Sequence, residues 1–159
     1  MAVSTGAYLK GMFNTTAALG DKAISSDAYF EIEGYEDISL LIKQFPFPEL
    51  SSAGEIEVPM PLGAARWQPQ QIKINQQGQV TFMETQKGHI AKFLEEINVK
   101  NGGRFNAKVY EGDNFNYTRM ARIQDCFLVM DNPDRDWENR SQILMLSGTL
   151  FFHYLGSDE

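Results

Sequence analysis

The stretch "SQILMLSGTLFFHYLG", residues 141–156, decides the fold of this chain. It carries no formal charge when His153 is neutral, and its side chains alternate as they do in a β-strand. One face of that strand would present Leu144, Leu146, Gly148, Leu150, Phe152 and Tyr154, and the other Ile143, Met145, Ser147, Thr149, Phe151 and His153. The first face is typical of a core. The second is mixed, as at an interface or a partly hydrated surface.

The predicted strand is unusually long. Residues 141–154 would extend roughly 46 Å at about 3.3 Å per residue, whereas an ordinary strand has about five or six residues. A membrane-spanning helix needs about 18 to 20 apolar residues. This stretch is shorter and is interrupted by Ser, Gln, Gly, Thr and His, so it does not read as a membrane span.

The composition predicts one globular domain. The chain has 159 residues, of which 43% are hydrophobic and 22% charged. A net charge of −7 argues against a phosphate-binding face, because nonspecific affinity for nucleic acid comes from many Lys and Arg side chains. The single Cys126 cannot form an internal disulfide, and the first residues lack a signal-peptide pattern. We therefore expect a cytoplasmic protein or one assembled in the cytoplasm.

The N-terminal region is predicted to be an arm. Residues 1–27 are rich in Ala, Gly, Ser and Thr and show no sustained period, ahead of a single domain at residues 28–159. A frayed terminus is the commoner outcome for such a segment. Its apolar side chains nevertheless leave room for docking on a neighbour, and they are Tyr8, Leu9, Met12 and Phe13.

A first hairpin is predicted where the domain begins, with strands at residues 29–32 and 38–43 and a turn at residues 34–37. Residues 46–66 then hold four of the six prolines, which predicts an extended loop. This loop and its approach carry the apolar residues Phe45, Phe47, Ile56, Val58, Met60 and Leu62. Two interpretations remain open: the loop folds back over its own core, or it presents a surface to a partner.

A second hairpin and a helix are predicted next. Residues 71–74 and 79–84 flank the sequence Asn-Gln-Gln-Gly, which is typical of a turn. The helix covers residues 86–97, because Ile90, Phe93, Leu94 and Ile97 recur at helical spacing. Thr85 is available as its N-cap, and Asn101-Gly102-Gly103 would end it.

The C-terminal third is predicted to be a long antiparallel hairpin. After an alternating strand at residues 104–110, a strand at residues 117–130 leads through an acidic turn at residues 131–139 into the opening stretch. In total, the sequence predicts six or seven strands and one α-helix. We therefore expect a mainly β chain forming an antiparallel β-sandwich or partial barrel.

Catalytic and metal-binding patterns are missing from the sequence. Cys126 lies on a predicted strand without a nucleophile motif, which favours a buried structural thiol. His89 and His153 have no metal-ligand spacing, and the acidic turn does not have the spacing of a calcium loop. We predict no enzymatic activity, no metal and no cofactor.

The order of these elements resembles the tail tube protein of contractile-tailed bacteriophages. The stretch VTFMETQKGHIAKFLEEI, residues 80–97, resembles the strand and single helix of that family, and residues 123–154 resemble its closing strand, turn and last long strand. The similarity covers about residues 28–155. It rests on patterns, since no single motif carries it, and residues 1–27 match nothing in the family.

The resemblance implies a structural protein of the virion tail tube, assembled in the host cytoplasm. Its sheets would join across subunits into a hexameric ring barrel, and rings would stack into a hollow tube through which phage DNA passes without specific binding. Implied partners are other copies of the chain, the tail sheath protein, and baseplate and tail-terminator proteins, but no membrane. Implied subunit-interface residues are Phe45, Phe47, Ile56, Val58, Met60, Leu62 and Trp137, and implied lumen-facing residues are Ser147 and Thr149. The acidic balance of the chain would leave a lumen that does not grip DNA.

Other functions fit the same patterns. A baseplate tube initiator, the ring protein of type VI secretion and an injection-system tube protein share the fold, and a monomeric β-sandwich binding module with residues 45–62 as its ligand surface belongs to a different class. For the lumen assignment, we expect Leu146→Asp to prevent folding and Ser147→Asp to permit it. Equal tolerance of both changes would contradict the assignment of the two faces.

Overall fold

The computed structural model describes residues 5–156, so residues 1–4 of the predicted arm and residues 157–159 of the predicted domain lie outside the described part. Two α-helices and eight strands are present in that part. Their bounds are α1 Gly6–Ala18, β1 Ala28–Ile32, β2 Ile42–Gln44, β3 Glu55–Pro59, β4 Ala65–Pro69, β5 Asn75–Met83, α2 His89–Lys100, β6 Phe105–Gly112, β7 Tyr117–Met130 and β8 Met145–His153.

Six of the strands form one sheet, in the order β1-β6-β7-β8-β5-β2, and every neighbouring pair is antiparallel. The sheet is curved nearly into a barrel. Strands β3 and β4 pair only with each other, as a separate two-stranded ribbon. The prediction of a mainly antiparallel β fold of the sandwich or partial-barrel type is confirmed, with α1 as a second helix that the sequence reading did not include.

The long C-terminal hairpin is confirmed. Strand β7 has the predicted bounds, and β8 returns antiparallel beside it, although β8 is shorter than the predicted strand at residues 141–154. Gln124 is paired with His153 and Phe127 with Phe151, so β7 has one more residue than β8 between these two pairs and the register shifts there. Asp125 lies in this bulge with a φ of 51°, a backbone conformation that L-residues rarely adopt. The bulge keeps the apolar side chains of β7 on the core face at both its ends.

The two faces of β8 differ as the alternation predicts. Leu150, Phe152 and Tyr154 are buried in the core, and Leu146 is partly buried against it. Ser147 is exposed on the opposite face. Residues of β5 on this opposite face pair with those of β8, and the face is mixed: Thr81, Gln79 and Gln77 of β5 lie beside Ser147, Thr149 and Phe151 of β8.

Helix α2 covers the core face of the sheet. Its residues Ile90, Phe93 and Ile97 are buried, and the Phe93 ring lies 4.9 Å from the ring of Tyr35 and 6.2 Å from that of Phe82. The helix begins at His89, three residues later than predicted. Glu84 caps it from outside, because its carboxylate accepts hydrogen bonds from the backbone N–H groups of Ile90 at 3.1 Å and Ala91 at 3.0 Å.

The Glu84 cap gives a stability prediction. Glu84→Ala leaves two N–H groups of the first turn of α2 without their acceptor, and we expect the free energy of unfolding to fall by about 1–2 kcal/mol. Glu84→Gln keeps one acceptor oxygen and should lose clearly less. Urea denaturation followed by circular dichroism measures both variants. An unchanged free energy of unfolding in Glu84→Ala would contradict the capping role of this side chain.

Both predicted early hairpins are wrong. Residues 36–41 form a 3₁₀ turn, β1 pairs with β6, and β2 pairs with β5, so no hairpin opens the domain. In the second predicted hairpin, the supposed turn and second arm form one continuous strand, β5, and the supposed first arm at residues 71–74 precedes that strand. Its supposed turn residue Gly78 lies inside that strand because Pro46 packs directly on it. A Cβ atom at Gly78 would lie 2.4 Å from the Cβ of Pro46.

The predicted loop at residues 46–66 is wrong in its second half, where the chain forms the ribbon β3–β4. The prolines allow this because they stand at the ends of the ribbon strands. Pro59 ends β3, and Pro61 begins the turn between the strands. A ribbon with both edges free does not need the ladder hydrogen bonds that proline removes from a central strand.

Candidate assembly surfaces

The approach to the ribbon is fastened to the domain. Phe45 lies 5.4 Å from Phe30 between ring centroids and is packed against the core, as is Phe47. Pro48 is buried. From the sequence alone, this region could either fold back over the core or project from the domain. In the structure, its two parts differ. The approach folds back onto the domain, and the ribbon beyond it is exposed.

Arg119 of β7 holds the approach from the other side. Its guanidinium lies 4.4 Å from the centroid of the Phe47 ring and donates to the carbonyl oxygen of Pro48 at 3.2 Å and to Glu49 Oε1 at 2.8 Å. Gln76 of β5 donates to the carbonyl oxygen of Glu49 at 2.9 Å. Two strands of the main sheet therefore fix the segment from which the ribbon departs.

Removing this contact should loosen the ribbon. Arg119→Ala deletes two hydrogen bonds and one cation–π contact, and we expect a loss of about 1 kcal/mol in the free energy of unfolding with faster amide exchange in residues 46–52. The matched control is Arg104→Ala, which breaks the surface ion pair between Arg104 and Asp125. Hydrogen exchange read by mass spectrometry compares the two. Unchanged exchange at residues 46–52 in Arg119→Ala would contradict the role given to this side chain.

The ribbon has two chemically different faces. Cross-strand partners share a face, so Ile56 and Val58 lie with their partners Gln68 and Arg66 on one side. Glu57 and Trp67 are opposite each other on the other side. All ribbon residues are exposed except Val58, which is half-buried. Met60 follows Val58 by two residues and extends the apolar row, which we call the apolar ribbon face: Ile56, Val58 and Met60.

Leu62 at the ribbon tip is the most exposed apolar residue. Its side chain is fully exposed, and its φ of 63° lies in the left-handed region. A non-glycine residue pays about 1–2 kcal/mol for that conformation. Neither the exposure nor the strain benefits the isolated subunit, and both are typical of a residue that contacts a partner.

Helix α1 is the second unpartnered apolar surface. It buries none of its residues, and Tyr8, Leu9, Met12 and Phe13 are each more than half exposed. We call these four residues the α1 apolar face. At a helical rotation of about 100° per residue, they lie within about 140° of the helix circumference. Thr5 caps the helix by accepting from the backbone N–H of Tyr8.

On strands β5 and β8, the sheet face that carries Ser147 and Thr149 is uncharged and mixed, with Met145 and Phe151 beside the polar residues. The adjacent strands β5 and β8 contain no Asp, Glu, Lys or Arg. On this face Gln79 is paired with Thr149 and Thr81 with Ser147, whose hydroxyl oxygens are 3.4 Å apart. The acidic balance of the chain therefore does not reside on these two strands, and the lumen-facing position of Ser147 and Thr149 stays a prediction.

Trp137 stands on the long connection between β7 and β8. It is 95% exposed and borders an open groove of about 780 Å³, lined also by Pro133, Ile143 and Met145. Its place in a subunit interface remains a prediction. Trp67, 68% exposed on the ribbon, was not singled out from the sequence, although a Trp in a proline-bounded segment is a signal for a contact residue.

The buried thiol is confirmed. Cys126 is free and fully buried, and burial raises its pKa to about 12, with a smaller contribution from the charge of Asp125. Among residues 5–156, no cluster of three or more His, Cys, Asp or Glu is placed to hold a metal ion. Within the same described part, no helix is both long and apolar enough to cross a membrane.

The pKa of Cys126 predicts an alkaline loss of stability. The folded-state pKa lies above the ordinary value of 9.0, so the unfolded chain releases the thiol proton first as pH rises. The free energy of unfolding should be unaffected by this thiol below about pH 8 and fall above pH 9 by up to about 1.4 kcal/mol per pH unit. Denaturation curves of the protein and of Cys126→Ala between pH 7 and 10.5 give the difference in slope. Parallel curves would contradict the burial effect.

No protein-family model matches the chain, and no curated protein matches it. Solved structures do match its fold. A chain from the extended sheath–tube complex of PVC, an extracellular contractile injection system, has a TM-score of 0.54 at 14% identity over 95% of each chain. A chain from the sheath/tube terminator of the PVC system has a TM-score of 0.57 at 13% identity, covering 84% of this chain and 94% of that one.

A chain from the cap of the anti-feeding prophage has a TM-score of 0.54 at 14% identity, covering 84% of this chain and 89% of that one. At such identities the likeness establishes the fold alone. The chain has the fold of tube components of contractile injection systems, which confirms the predicted resemblance to contractile tail tube proteins at the level of fold.

Proposed function

We propose that this chain is a structural protein that polymerises as stacked hexameric rings into the hollow inner tube of a contractile tail. The observation that carries the proposal is the fold likeness over 95% of both chains to a component of a sheath–tube complex. A subunit of such a tube needs a sheet whose edges can join those of its neighbours. It also needs exposed apolar surfaces between rings.

The sheet meets the first requirement in its strand order. Strands β1 and β2 lie at its two edges, and among residues 5–156 neither has a strand partner on its outer side. Pairing β1 of one copy with β2 of the next would close the sheets of six subunits into one barrel. In such a barrel the unpaired edges disappear.

The lumen would be lined by the uncharged face of β5 and β8, with Ser147 and Thr149 toward the axis. Phosphate affinity depends on cationic side chains, and these two strands have none. Such a wall would let phage DNA pass during ejection without binding it specifically. The core face and α2 would then point outward, toward the tail sheath protein.

The interface residues fall into two groups under this proposal. Ile56, Val58, Met60 and Leu62 would contact other copies directly from the ribbon, and Trp137 from the β7–β8 connection. Phe45 and Phe47 would act through the anchored base of the ribbon. Further contacts at the ends of the tube would be made with baseplate and tail-terminator proteins, in a virion assembled in the host cytoplasm.

A second candidate, a tube or tube-end component of an extracellular injection system, is favoured by one specific observation. The structures that share the fold come from such systems and include a terminator, a cap and a baseplate assembly. A tube initiator or terminator would occur once along the tube, whereas a main tube protein would form many stacked rings. The purified chain distinguishes these, because only the main tube protein should elongate by itself.

Size-exclusion chromatography with light scattering and negative-stain microscopy tests the proposal. We expect rings, or tubes built of rings, in place of a monomer of 18.0 kDa. Leu62→Asp should reduce stacking while leaving the fold intact, because the side chain is fully exposed. A monomer at all concentrations would instead support the alternative of a monomeric β-sandwich binding module.

A further inference from the structure

Strand β7 changes its hydrogen-bonding partner partway along its length. It pairs with β6 over residues 117–126 and with β8 over residues 124–130, so the two ladders overlap at residues 124–126. The main sheet therefore has two halves. One half contains the edge strand β1 and its neighbour β6, the other contains the edge strand β2 with β5 and β8, and β7 belongs to both.

Asp125 interrupts both ladders at once. On the β6 side, Gln124 and Asp125 stand opposite the single residue Asn106. On the β8 side, Asp125 and Cys126 stand opposite the single residue Phe152. Asp125 is common to both irregularities, and its φ of 51° lies in the left-handed region. Because a bulge bends its strand and increases the local twist, this one places a bend on the line where the two halves of the sheet meet.

Two side chains at the beginning of β6 hold the bulge. The backbone N–H of Asp125 donates to Oδ1 of Asn106 at 3.0 Å. Nη1 of Arg104, the residue before β6, donates to Oδ2 of Asp125. The backbone of the bulge and its side chain are therefore both tied to the half of the sheet that contains β1.

These contacts fix geometry more than they add stability. The Arg104 and Asp125 side chains are 65% and 49% exposed, so their ion pair contributes little to the free energy of unfolding. The apolar core that presses the two halves together is non-directional, whereas hydrogen bonds depend on direction. A left-handed conformation at a non-glycine residue persists only where the surrounding structure imposes it.

We propose that the bulge at Asp125, held by Arg104 and Asn106, sets the angle between the edge strands β1 and β2 and thereby the number of copies in a closed ring. This role rests on the proposed function, in which β1 of one copy pairs with β2 of the next. Each copy then turns the ring by about 60° for six copies, about 72° for five and about 51° for seven. A change of roughly ten degrees in the bend is enough to change the number of copies.

Asp125→Gly tests the bulge without straining the fold. Glycine adopts the same φ without steric cost, but it cannot bind Arg104, so the bulge becomes free to take other conformations. Asp125→Asn is the matched control, because asparagine also tolerates the left-handed region and keeps a side-chain oxygen for Arg104. Both variants should fold, with urea denaturation curves close to that of the unchanged protein.

Pulsed electron paramagnetic resonance between spin labels in the two halves measures the bend itself. Thr118→Cys on β7 lies in the half that contains β1, Gln79→Cys on β5 lies in the half that contains β2, and both positions are exposed. Cys126 is buried and its pKa is raised, so it should not take a label. With labelled chains diluted in unlabelled ones, Asp125→Gly should widen the distance distribution at least about twofold. Asp125→Asn should leave it unchanged.

End-on views in negative-stain microscopy count the copies in each ring. The unchanged protein and Asp125→Asn should give one ring size. Asp125→Gly should lower the fraction of six-membered rings at least about twofold, with five-membered, seven-membered or open rings in their place.

Each outcome decides the matter. A widened distance distribution together with mixed ring sizes in Asp125→Gly supports the proposal. An unchanged distribution in Asp125→Gly overturns it, whether or not rings form. A widened distribution with six-membered rings alone overturns the role of the bend in ring closure while the proposed function stands. A chain that stays monomeric refutes the proposed function and, with it, that role.

Discussion

Gly148→Ala is expected to lower the free energy of unfolding by about 3 kcal/mol or more, because no space exists for the added methyl group. A Cβ atom at Gly148 would lie 2.5 Å from the carbonyl oxygen of Val129 and 2.8 Å from the Cα of Met130. Both contacts are with the backbone of β7, the paired strand, so a side-chain rotation cannot relieve them. Strands β7 and β8 would have to separate at the turn end of their paired segment, where Gly148 is opposite Met130.

Urea denaturation measures this loss, and Gly11→Ala is its control. Gly11 lies within α1, where an added Cβ meets nothing within 4 Å. Alanine there should be neutral or stabilise the helix by up to about 1 kcal/mol. If Gly148→Ala were as stable as Gly11→Ala, the close pairing of β7 and β8 at this point would be wrong.

Leu150→Asp should prevent folding, whereas Ser147→Asp should be tolerated. Leu150 has no exposed surface and belongs to the core cluster. A carboxylate there has no partner, and its desolvation cost is comparable to the roughly 5–15 kcal/mol that stabilises a whole domain. Ser147 lies on the other face of the same strand and is exposed, so its change should cost no more than about 0.5 kcal/mol.

Leu150 is a sharper probe of the two faces than Leu146, which is only partly buried. Circular dichroism and the yield of soluble protein are the measurements for the fold. Under the proposed function, Ser147→Asp rings should still form, with added negative charge along the lumen. Failure of Ser147→Asp to fold, or normal folding of Leu150→Asp, would reverse the assignment of the faces.

The C-terminal hairpin could be predicted because its information is local. Residues 141–154 alternate over many positions, residues 117–130 form a long segment without Gly or Pro, and the turn between them is rich in Asp, Asn and Pro. Period-two alternation over such a length is incompatible with a helix. The core face of β8 follows from the same pattern.

The strand predicted at residues 29–32 is present as β1, but the pairing of the early strands could not be predicted because their partners are far away in sequence. Gly78 looks like a turn residue when only its neighbours are considered, yet it is a strand residue on which Pro46 packs. Strand β1 finds its partner in β6, more than seventy positions along the chain. Turn-forming residues indicate where a chain can bend, and distant packing decides whether it does.

The assembly surfaces were predicted in part. The apolar residues of the ribbon are contact candidates from the sequence alone. The ribbon strands are not predictable from it, because proline normally excludes a central strand and the alternation of Glu55, Ile56, Glu57 and Val58 is short. Helix α1 was missed because glycine and threonine lower its helix propensity. The spacing of Tyr8, Leu9, Met12 and Phe13 after a Thr5 cap was the signal available.

Electron cryo-microscopy of the purified, assembled chain tests the central claim most directly. The account predicts hexameric rings in which β5 and β8 face the axis, with Ser147 and Thr149 on the lumen wall and α2 on the outside. A particle with α2 lining the channel would contradict the assignment of the faces. Monomers of 18.0 kDa at every concentration would contradict the assembly itself.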